Sequence, residues 1–178
     1  MILLITCIQH KYACIALFYV FGLVCLTEFN KLIKQKSSAS YLIFTSVFLL
    51  FALGELLFYS AEIINQISQI FHVLSIFVTL FLIRDLFSSK ELPNLISNQF
   101  INTTFYISSG FVFLILIAFN FGNYNPQIIL GIFLLIWTND SFAYLIGKNF
   151  GKQKLFASIS PKKTVEGFLG GVFFSAIG

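Results

Sequence analysis

The sequence predicts an all-α fold, a polytopic bundle of membrane-spanning helices. Hydrophobic residues make up 58% of the 178 residues, charged residues only 10%, and the mean hydropathy is +0.91. A soluble domain has about a quarter charged residues, so this chain has too little polar material to cover a water-facing surface. Its apolar runs are long and do not alternate with polar residues, which indicates helices and excludes barrel strands. The composition also excludes a disordered chain, a coiled coil and a nucleic-acid-binding domain.

Five segments have the length and apolar character of spanning helices, each of which needs about 20 residues. They are residues 12–29, 41–59, 67–83, 101–119 and 127–147. Shorter apolar runs at residues 1–8 and 165–178 flank them, and eight helical residues extend only about 12 Å against a hydrocarbon core of about 30 Å. We therefore expect five full spans and a partial span at each end, in a single truncated membrane domain over residues 1–178.

The basic residues are distributed unevenly over the loops between these spans. Loops 30–40, 84–100 and 148–164 contain ten of the eleven lysines and arginines, whereas loops 60–66 and 120–126 contain none. Five spans in alternation place those ten residues on one side of the membrane and only Lys11 on the other. By the positive-inside rule the basic side is cytoplasmic. The basic loop 148–164 is thus expected on the cytoplasmic face.

Asp140 is the charged residue placed deepest within a predicted span. The span 127–147 centres on Trp137, which puts Asp140 about 5 Å from the membrane midplane. A carboxylate at such a depth costs about 2.5–3.5 kcal/mol on insertion scales. Asn139 and Ser141 extend the polar patch on either side. Asp140 therefore needs a cation, a metal ion or a water-filled cavity, and is the first candidate for a functional residue.

Three other polar residues within spans have simpler interpretations. Glu28 lies near the end of its span beside Lys31, where it can reach the membrane interface. Glu55 lies about one helical turn from the end of its span and is interpreted as an interhelical hydrogen-bond partner, although a functional role stays open. We expect His72 to be hydrogen-bonded between helices rather than to act as a ligand.

The basic loop contains a second candidate site. Ser160 followed by Pro161 is typical of an N-cap and first helical residue, so we predict that a helix begins there. The free N–H groups of that helix and the ammonium groups of Lys162 and Lys163 would then form an anion site of the phosphate kind. The alternative is an ordinary positive-inside loop that lies on anionic lipid, and charge alone does not decide between them.

Two observations favour a site over a plain basic loop. Glu166 lies among the lysines at the start of an apolar run, where a carboxylate is expected to pair with a lysine or bind a cation. Small residues at helix-packing spacing would also bring the helix of Asp140 close to that of Glu166. These small residues are Ala143, Gly147 and Gly151 on one side of the loop and Gly167 and Gly171 on the other. Carboxylates and lysines around phosphates predict a Mg²⁺-dependent phosphoryl or nucleotidyl transfer involving a lipid.

The segment WTNDSFAYLIGKNFGKQKLFASISPKKTVEGFLGG, residues 137–171, resembles the bacterial phosphatidate cytidylyltransferases, also called CDP-diacylglycerol synthases. The S-P-K-K-T-x-E-G block is a specific motif, far more so than a lone glycine motif. Outside this segment the chain agrees with the family only in hydropathy and order. The matching positions are Trp137, Asp140, Ala143, Tyr144, Gly147, Gly151, Ser160, Pro161, Lys162, Lys163, Thr164, Glu166 and Gly167.

The resemblance implies transfer of CMP from CTP to phosphatidate, which gives CDP-diacylglycerol and pyrophosphate. It implies Mg²⁺ as cofactor, and a location at the cytoplasmic face of a bacterial inner membrane. CTP, phosphatidate and membrane lipids are the implied partners, without nucleic acid, and a homodimer is left open. The implied catalytic residues are Asp140, which also helps to hold the metal, Lys163 and Glu166. The implied substrate-binding residues are Ser160, Pro161, Lys162, Thr164 and Gly167.

The sequence departs from the family pattern at its end. Family members continue through further spans to a C-terminal signature rich in Lys, Asp and His-Gly-Gly, which contains the principal metal-binding aspartates. These 178 residues do not contain it, so we expect the chain by itself to be inactive.

Other functions remain open from the sequence. A CTP-dependent lipid kinase, or a cytidylyltransferase for another lipid phosphate, would use a similar basic loop. A non-catalytic membrane remnant would use that loop only to bind anionic lipid. A transporter would explain Asp140 and Glu55 within spans, but no inverted repeat is visible in the sequence.

Overall fold

A computed structural model describes residues 10–34, 38–57, 62–87, 99–119, 123–157 and 160–177. The predicted partial span 1–8 lies outside those residues. The chain divides into two compact units, Met1–Pro126 and Gln127–Gly178, which we describe one at a time. The single membrane domain over residues 1–178 stays a prediction.

The first unit is built from helices that coincide with the first four predicted spans. They are α1 (Lys11–Leu32), α2 (Ala39–Leu57), α3 (Glu62–Phe87) and a composite helix of α4 (Gln99–Asn102), a π-helical stretch (Thr103–Ser108) and α5 (Ser109–Ala118). The 22 residues of α1 reach about 33 Å, enough to cross the hydrocarbon core.

Aromatic side chains fill the core of the first unit. The Phe44 ring lies so close to Gly22 that a Cβ atom there would collide with it, which explains the glycine in α1. Phe44 also stacks on Phe48 at 5.8 Å between ring centroids. Tyr19 and Thr45 join α1 to α2 through a hydroxyl–hydroxyl hydrogen bond of 3.0 Å. Close packing of this kind, and not burial of apolar surface from water, holds helices together in a membrane.

The contacts of Glu28 and His72 in the first unit can be compared with those expected from the sequence. The Lys31 ammonium lies 2.7 Å from a Glu28 carboxylate oxygen, and both side chains are exposed, as expected for an interfacial pair. The predicted interhelical hydrogen bond of His72 is wrong. Its Nδ1 lies 2.6 Å from the carbonyl oxygen of Ser68, one turn earlier in the same helix, because that acceptor is within immediate reach. Its contact with another helix is a ring stack on Phe113 at 4.2 Å.

The second unit contains the remainder of the fold. It consists of α6 (Pro126–Phe150), the strands β1 (Lys154–Phe156) and β2 (Ser160–Thr164), and α7 (Val165–Ile177). The strands pair antiparallel, with Lys154 opposite Thr164 and Phe156 opposite Ser160. Four steps along β2 thus face two along β1, so the pairing contains a bulge.

The predicted helix start at Ser160 and Pro161 is wrong. These residues belong to β2, and the helix begins at Val165, with the Thr164 hydroxyl accepting a hydrogen bond of 3.2 Å from the Gly167 N–H. Thr164 is therefore the N-cap. Residues 160–164 pair with β1 along one edge, and Pro161, which has no N–H to donate, is tolerated in a strand of a two-stranded sheet.

The predicted small-residue packing between α6 and α7 is confirmed. A Cβ on Gly167 would lie 2.7 Å from the Ala143 carbonyl oxygen and 2.9 Å from the Gly147 Cα. A Cβ on Gly171 would lie 2.8 Å from the Asn139 carbonyl oxygen. The two backbones approach as closely as only glycine permits.

Five of the described helices are long and apolar enough to cross a bilayer. They are Lys11–Leu32, Ala39–Leu57, Asn65–Arg84, Phe100–Ala118 and Pro126–Phe150, and the apolar helix α7 is shorter. The all-α bundle with five spans is confirmed, and the chain is an integral membrane protein.

Candidate functional site

The second unit contains a cleft of about 770 Å³ between the later turns of α6, the β-hairpin and the start of α7. This volume falls in the usual range for small-molecule sites, about 300–1,000 Å³. The lining residues are Asn139, Asp140, Ala143, Tyr144, Gly147, Lys148, Lys154, Leu155, Lys162, Lys163, Thr164, Gly167 and Phe168. We refer to this space as the cleft.

Helix α6 supplies one wall of the cleft through residues spaced four apart. Asp140, Tyr144 and Lys148 form one row along the helix, and residues four apart lie on the same helix face. The eight residues from Asp140 to Lys148 correspond to about 12 Å along the axis. The cleft therefore extends from inside the predicted span to the basic end of the helix.

The β-hairpin supplies most of the positive charge. Lys162 and Lys163 are consecutive residues of β2, and in a regular strand their side chains would point to opposite faces. The irregular pairing with β1 breaks that alternation, and both residues line the cleft. With Lys148 and Lys154 the cleft has four lysines against the single carboxylate of Asp140, a formal charge of +4 − 1 = +3. A concave surface of one sign attracts ligands of the opposite sign, here anions.

Lys148 lies at the end of α6 over an aromatic ring. Its ammonium nitrogen is 5.8 Å from the centroid of the Tyr144 ring, within cation–π range. The Tyr144 side chain is itself exposed. This contact holds the lysine on the cleft wall while its charge stays available to a ligand.

Glu166 binds backbone groups of the loop between α6 and β1. Its Oε2 accepts a hydrogen bond of 3.0 Å from the Lys152 N–H, and both carboxylate oxygens lie 3.2 Å from the Gln153 nitrogen. Hydrogen bonds from its own backbone N–H and from those of Lys152 and Gln153 lower the pKa of the Glu166 carboxyl. The group is therefore an ionised acceptor at neutral pH.

The structure brings together five of the eight residues predicted for the site. Asp140, Lys162, Lys163, Thr164 and Gly167 line the cleft. Ser160, Pro161 and Glu166 are not among the lining residues. Their predicted roles in binding and catalysis stay predictions.

Several lining residues had not been predicted as ligand contacts. These are Asn139, Ala143, Tyr144, Gly147, Lys148, Lys154, Leu155 and Phe168. The spacing of four and eight residues after Asp140 was a signal for Tyr144 and Lys148. Lys154 and Leu155 had no comparable signal, because their position depends on a hairpin that the sequence analysis did not predict.

The donor groups of the cleft fit a metal ion only when a ligand shares it. No group of three or more His, Cys, Asp or Glu side chains that could hold a metal occurs in the described ranges. The cleft offers the Asp140 carboxylate and, beside it, the Asn139 amide. Mg²⁺ is commonly bound through one or two carboxylates with substrate phosphates and water. These residues thus fit Mg²⁺ bound jointly with a phosphate ligand, and not an all-protein metal site.

The chain is similar to known proteins along its whole length. A family model described as "Cytidylyltransferase family" matches residues 1–178. The phosphatidate cytidylyltransferase of Bacillus subtilis (strain 168) is 33% identical over 165 residues, which cover 90% of this chain and 59% of that protein. That of Aquifex aeolicus (strain VF5) is 48% identical over 80 residues, which cover 45% of this chain and 30% of that protein.

A phosphatidate cytidylyltransferase of Staphylococcus aureus (strain COL) is 44% identical over 72 residues, which cover 40% of this chain and 26% of that protein. The matched regions thus span less than two thirds of the length of each of these relatives. No solved structure matches the chain significantly.

Proposed function

This chain belongs to the cytidylyltransferase family, and we propose that its cleft is part of the active site of a phosphatidate cytidylyltransferase. The proposed reaction transfers CMP from CTP to phosphatidate, which gives CDP-diacylglycerol and pyrophosphate. The observation that carries the proposal is that four lysines and Asp140 line one cleft, along the later turns of a helix long enough to span a membrane.

The reaction requires two polyanions to meet. A phosphate oxygen of phosphatidate attacks the α-phosphorus of CTP and forms a new P–O bond. The bond from the α-phosphorus to the oxygen that bridges to the β-phosphorus breaks, and that oxygen leaves with pyrophosphate. Catalysis of such transfers is mostly positioning and charge neutralisation, which a cleft with a formal charge of +3 supplies.

The residues of the cleft take different parts in this proposal. Lys162 and Lys163 bind phosphate oxygens, and Lys163 lies beside the reacting phosphorus. Lys154 and Lys148 neutralise the remaining phosphate charge from β1 and from the end of α6. The Thr164 side chain and the Gly167 backbone shape the floor where β2 turns into α7.

Asp140 is the residue proposed to hold Mg²⁺ together with substrate phosphate oxygens. When bound, the ion would act as a Lewis acid on phosphate oxygens and would neutralise part of their charge. A requirement for Mg²⁺ would also explain why a carboxylate at this depth along α6 lines the same cleft as four lysines.

A lipid substrate fits the surroundings of the cleft. Tyr144, Leu155 and Phe168 give it apolar wall segments beside the lysines. A lipid phosphate can therefore reach the lysines while its acyl chains stay next to apolar side chains and to the membrane.

We further propose that the cleft faces the cytoplasm from a bacterial inner membrane, where CTP is available. The alternation of basic loops supports this orientation. Asn123→Cys should then react with a membrane-impermeant thiol reagent in cells with a permeabilised outer membrane. Lys36→Cys should react with the same reagent only in inverted inner-membrane vesicles. The opposite pattern would overturn the orientation. A homodimer stays a prediction.

The test of the proposed function follows the phosphorus atoms of CTP. The complete reading frame that contains this chain is expressed in membranes and given phosphatidate, Mg²⁺ and CTP labelled at either the α- or the γ-phosphorus. Cytidylyl transfer places the α-label in lipid and the γ-label in pyrophosphate. A lipid kinase would place the γ-label in lipid, and absence of both labels from lipid would overturn the proposal.

A further inference from the structure

We propose that Glu166 is a positioning residue of this site, which fixes the loop 151–153 so that Lys148 and Lys154 face the same cleft. The resemblance to the family had implied that Glu166 positions a lysine or the cation. The inference rests on the proposed function for its kinetic consequences, but its structural part can be tested without it. We refer to Glu166 and the backbone N–H groups of Lys152 and Gln153 as the clamp.

The carboxylate of Glu166 is directed at backbone donors. One N–H group comes from Lys152 at 3.0 Å and the next from Gln153 at 3.2 Å. Two successive backbone N–H groups that point at one carboxylate form an anion-binding concavity of the kind found in turns. Both carboxylate oxygens of Glu166 are thus engaged by the backbone of the loop.

Further contacts tie the same loop to the start of α7. The Val165 N–H donates a hydrogen bond of 2.9 Å to the Gln153 carbonyl oxygen. Gly151 packs against Thr164, and a Cβ on Gly151 would lie 2.7 Å from the Thr164 hydroxyl oxygen. The loop is thus held both through its N–H groups and through a carbonyl oxygen. The Glu166 carboxylate is the charged acceptor of the N–H groups.

The position of the loop determines how the lysines are arranged. Lys148 lies three residues before Gly151 and Lys154 directly follows Gln153, and both line the cleft. Lys162 and Lys163 lie on the strand that leads into α7, the helix that also contains Glu166. Lys154 is already placed beside Lys162 and Lys163 by the strand pairing. The clamp acts on the loop that joins Lys148 at the end of α6 to this hairpin.

The test compares Glu166→Ala and Glu166→Gln with the control Glu28→Gln, which changes an exposed carboxylate paired with Lys31. In the full protein, amide hydrogen exchange should show the Lys152 and Gln153 amides losing about tenfold or more of their protection in Glu166→Ala. Glu166→Gln, which keeps one acceptor oxygen, should lose less. Glu28→Gln should match the wild type.

Kinetics separate positioning from catalysis. In Glu166→Ala the KM for CTP should rise about tenfold, the size of effect expected when the net contribution of about one hydrogen bond is lost. The kcat and the Mg²⁺ dependence should change little. A collapse of kcat at unchanged KM, or a shifted Mg²⁺ requirement with normal protection of the two amides, would overturn the inference. If Glu166→Ala loses protection throughout α6, it has unfolded, and Glu166→Gln decides between the outcomes.

The two proposals fail in different ways. If the wild-type protein transfers no CMP, the proposed function is wrong, and the exchange experiment still tests the clamp. If the wild type is active and the two amides exchange equally in wild type and Glu166→Gln and Glu166→Ala, the clamp is wrong and the function stands.

Discussion

Lys162 and Lys163 show how one local irregularity creates the charge of the site. Consecutive residues in a regular strand point to opposite faces, so only one of the two lysines would reach a ligand. The bulge between the pairs Lys154–Thr164 and Phe156–Ser160 removes that restriction. The irregular pairing therefore accounts for the presence of both lysines in the cleft lining.

Replacement of Lys163 tests its contact with phosphate. Lys163→Ala removes a charge-assisted hydrogen bond, which is typically worth about 1.5–3 kcal/mol. We expect the KM for CTP to rise about 10- to 100-fold, together with a lower kcat, measured as α-label transferred to lipid. Lys31→Ala is the matched control, since Lys31 is an exposed lysine paired with Glu28, and it should leave both constants near their wild-type values. Equal constants for Lys163→Ala and Lys31→Ala would remove Lys163 from the site.

The lowered pKa of Glu166 predicts how the clamp responds to acid. Because the folded pKa lies below the ordinary value, the stabilising contribution is complete above that value and is lost as pH falls through the folded pKa. Protection of the Lys152 and Gln153 amides, corrected for intrinsic exchange, should stay constant from pH 8 to about 5 and fall only in more acidic solution. Glu166→Gln should show no such acid transition. Loss of protection already between pH 7 and 5 in the wild type would contradict the assignment.

The sequence allowed the prediction of some of these residues and not others, for physical reasons. A carboxylate deep in an apolar run is costly wherever its neighbours lie, so Asp140 could be identified without the fold. Ser160 and Pro161 were assigned to a helix start because Ser-Pro fits an N-cap locally. A strand accepts the same dipeptide, and the pairing partner that decides the matter lies several residues away.

At the scale of elements, the close approach of α6 and α7 holds the walls of the cleft. Ala143 and Gly147 face Gly167, Ala143 also meets Gly171, and the Phe142 ring stacks on Phe174 at 4.1 Å. The spacing of small residues predicted this contact because backbone proximity in membranes requires them. The β-hairpin was not predicted, since its short strands contain neither alternation nor β-branched runs.

A methyl group tests the packing of these two helices. Gly167→Ala would place a Cβ 2.7 Å from a backbone oxygen of Ala143, which cannot move aside cheaply. We expect destabilisation of about 1–3 kcal/mol, seen as a lower thermal transition of the detergent-solubilised protein. Gly131→Ala in α6 is the control, because a Cβ there meets no atom within 4 Å, and it should leave the transition unchanged or raise it. Equal transitions for the two variants would show that the close approach does not contribute to stability.

At the scale of the whole molecule, composition and periodicity were sufficient to predict the membrane helices. All five predicted spans coincide with long helices of the structure, with ends that differ by a few residues. The agreement follows from the bilayer, which requires long apolar segments with internally satisfied backbone groups. The cleft depends instead on contacts between separate elements, so only part of its lining could be anticipated.

Similarity and structure support the same function from different directions. The family model covers residues 1–178, whereas the matched regions span 59% or less of the relatives compared above. Within this chain, the cleft combines lysines for phosphate charge with a carboxylate for a shared metal ion. We propose that these groups act together on CTP and a lipid phosphate.

The most direct test of this joint action is the transfer of CMP by the Asp140→Asn variant. The complete protein is assayed in membranes for Mg²⁺-dependent transfer of α-label from CTP to phosphatidate, beside the wild type and Ser141→Ala, whose serine does not line the cleft. We expect Asp140→Asn to lose about 100-fold or more of its turnover, since a neutral amide replaces the carboxylate that lines the cleft, while Ser141→Ala remains near wild type. If the wild type transfers CMP and Asp140→Asn turns over at the same rate, Asp140 does not take part in the reaction.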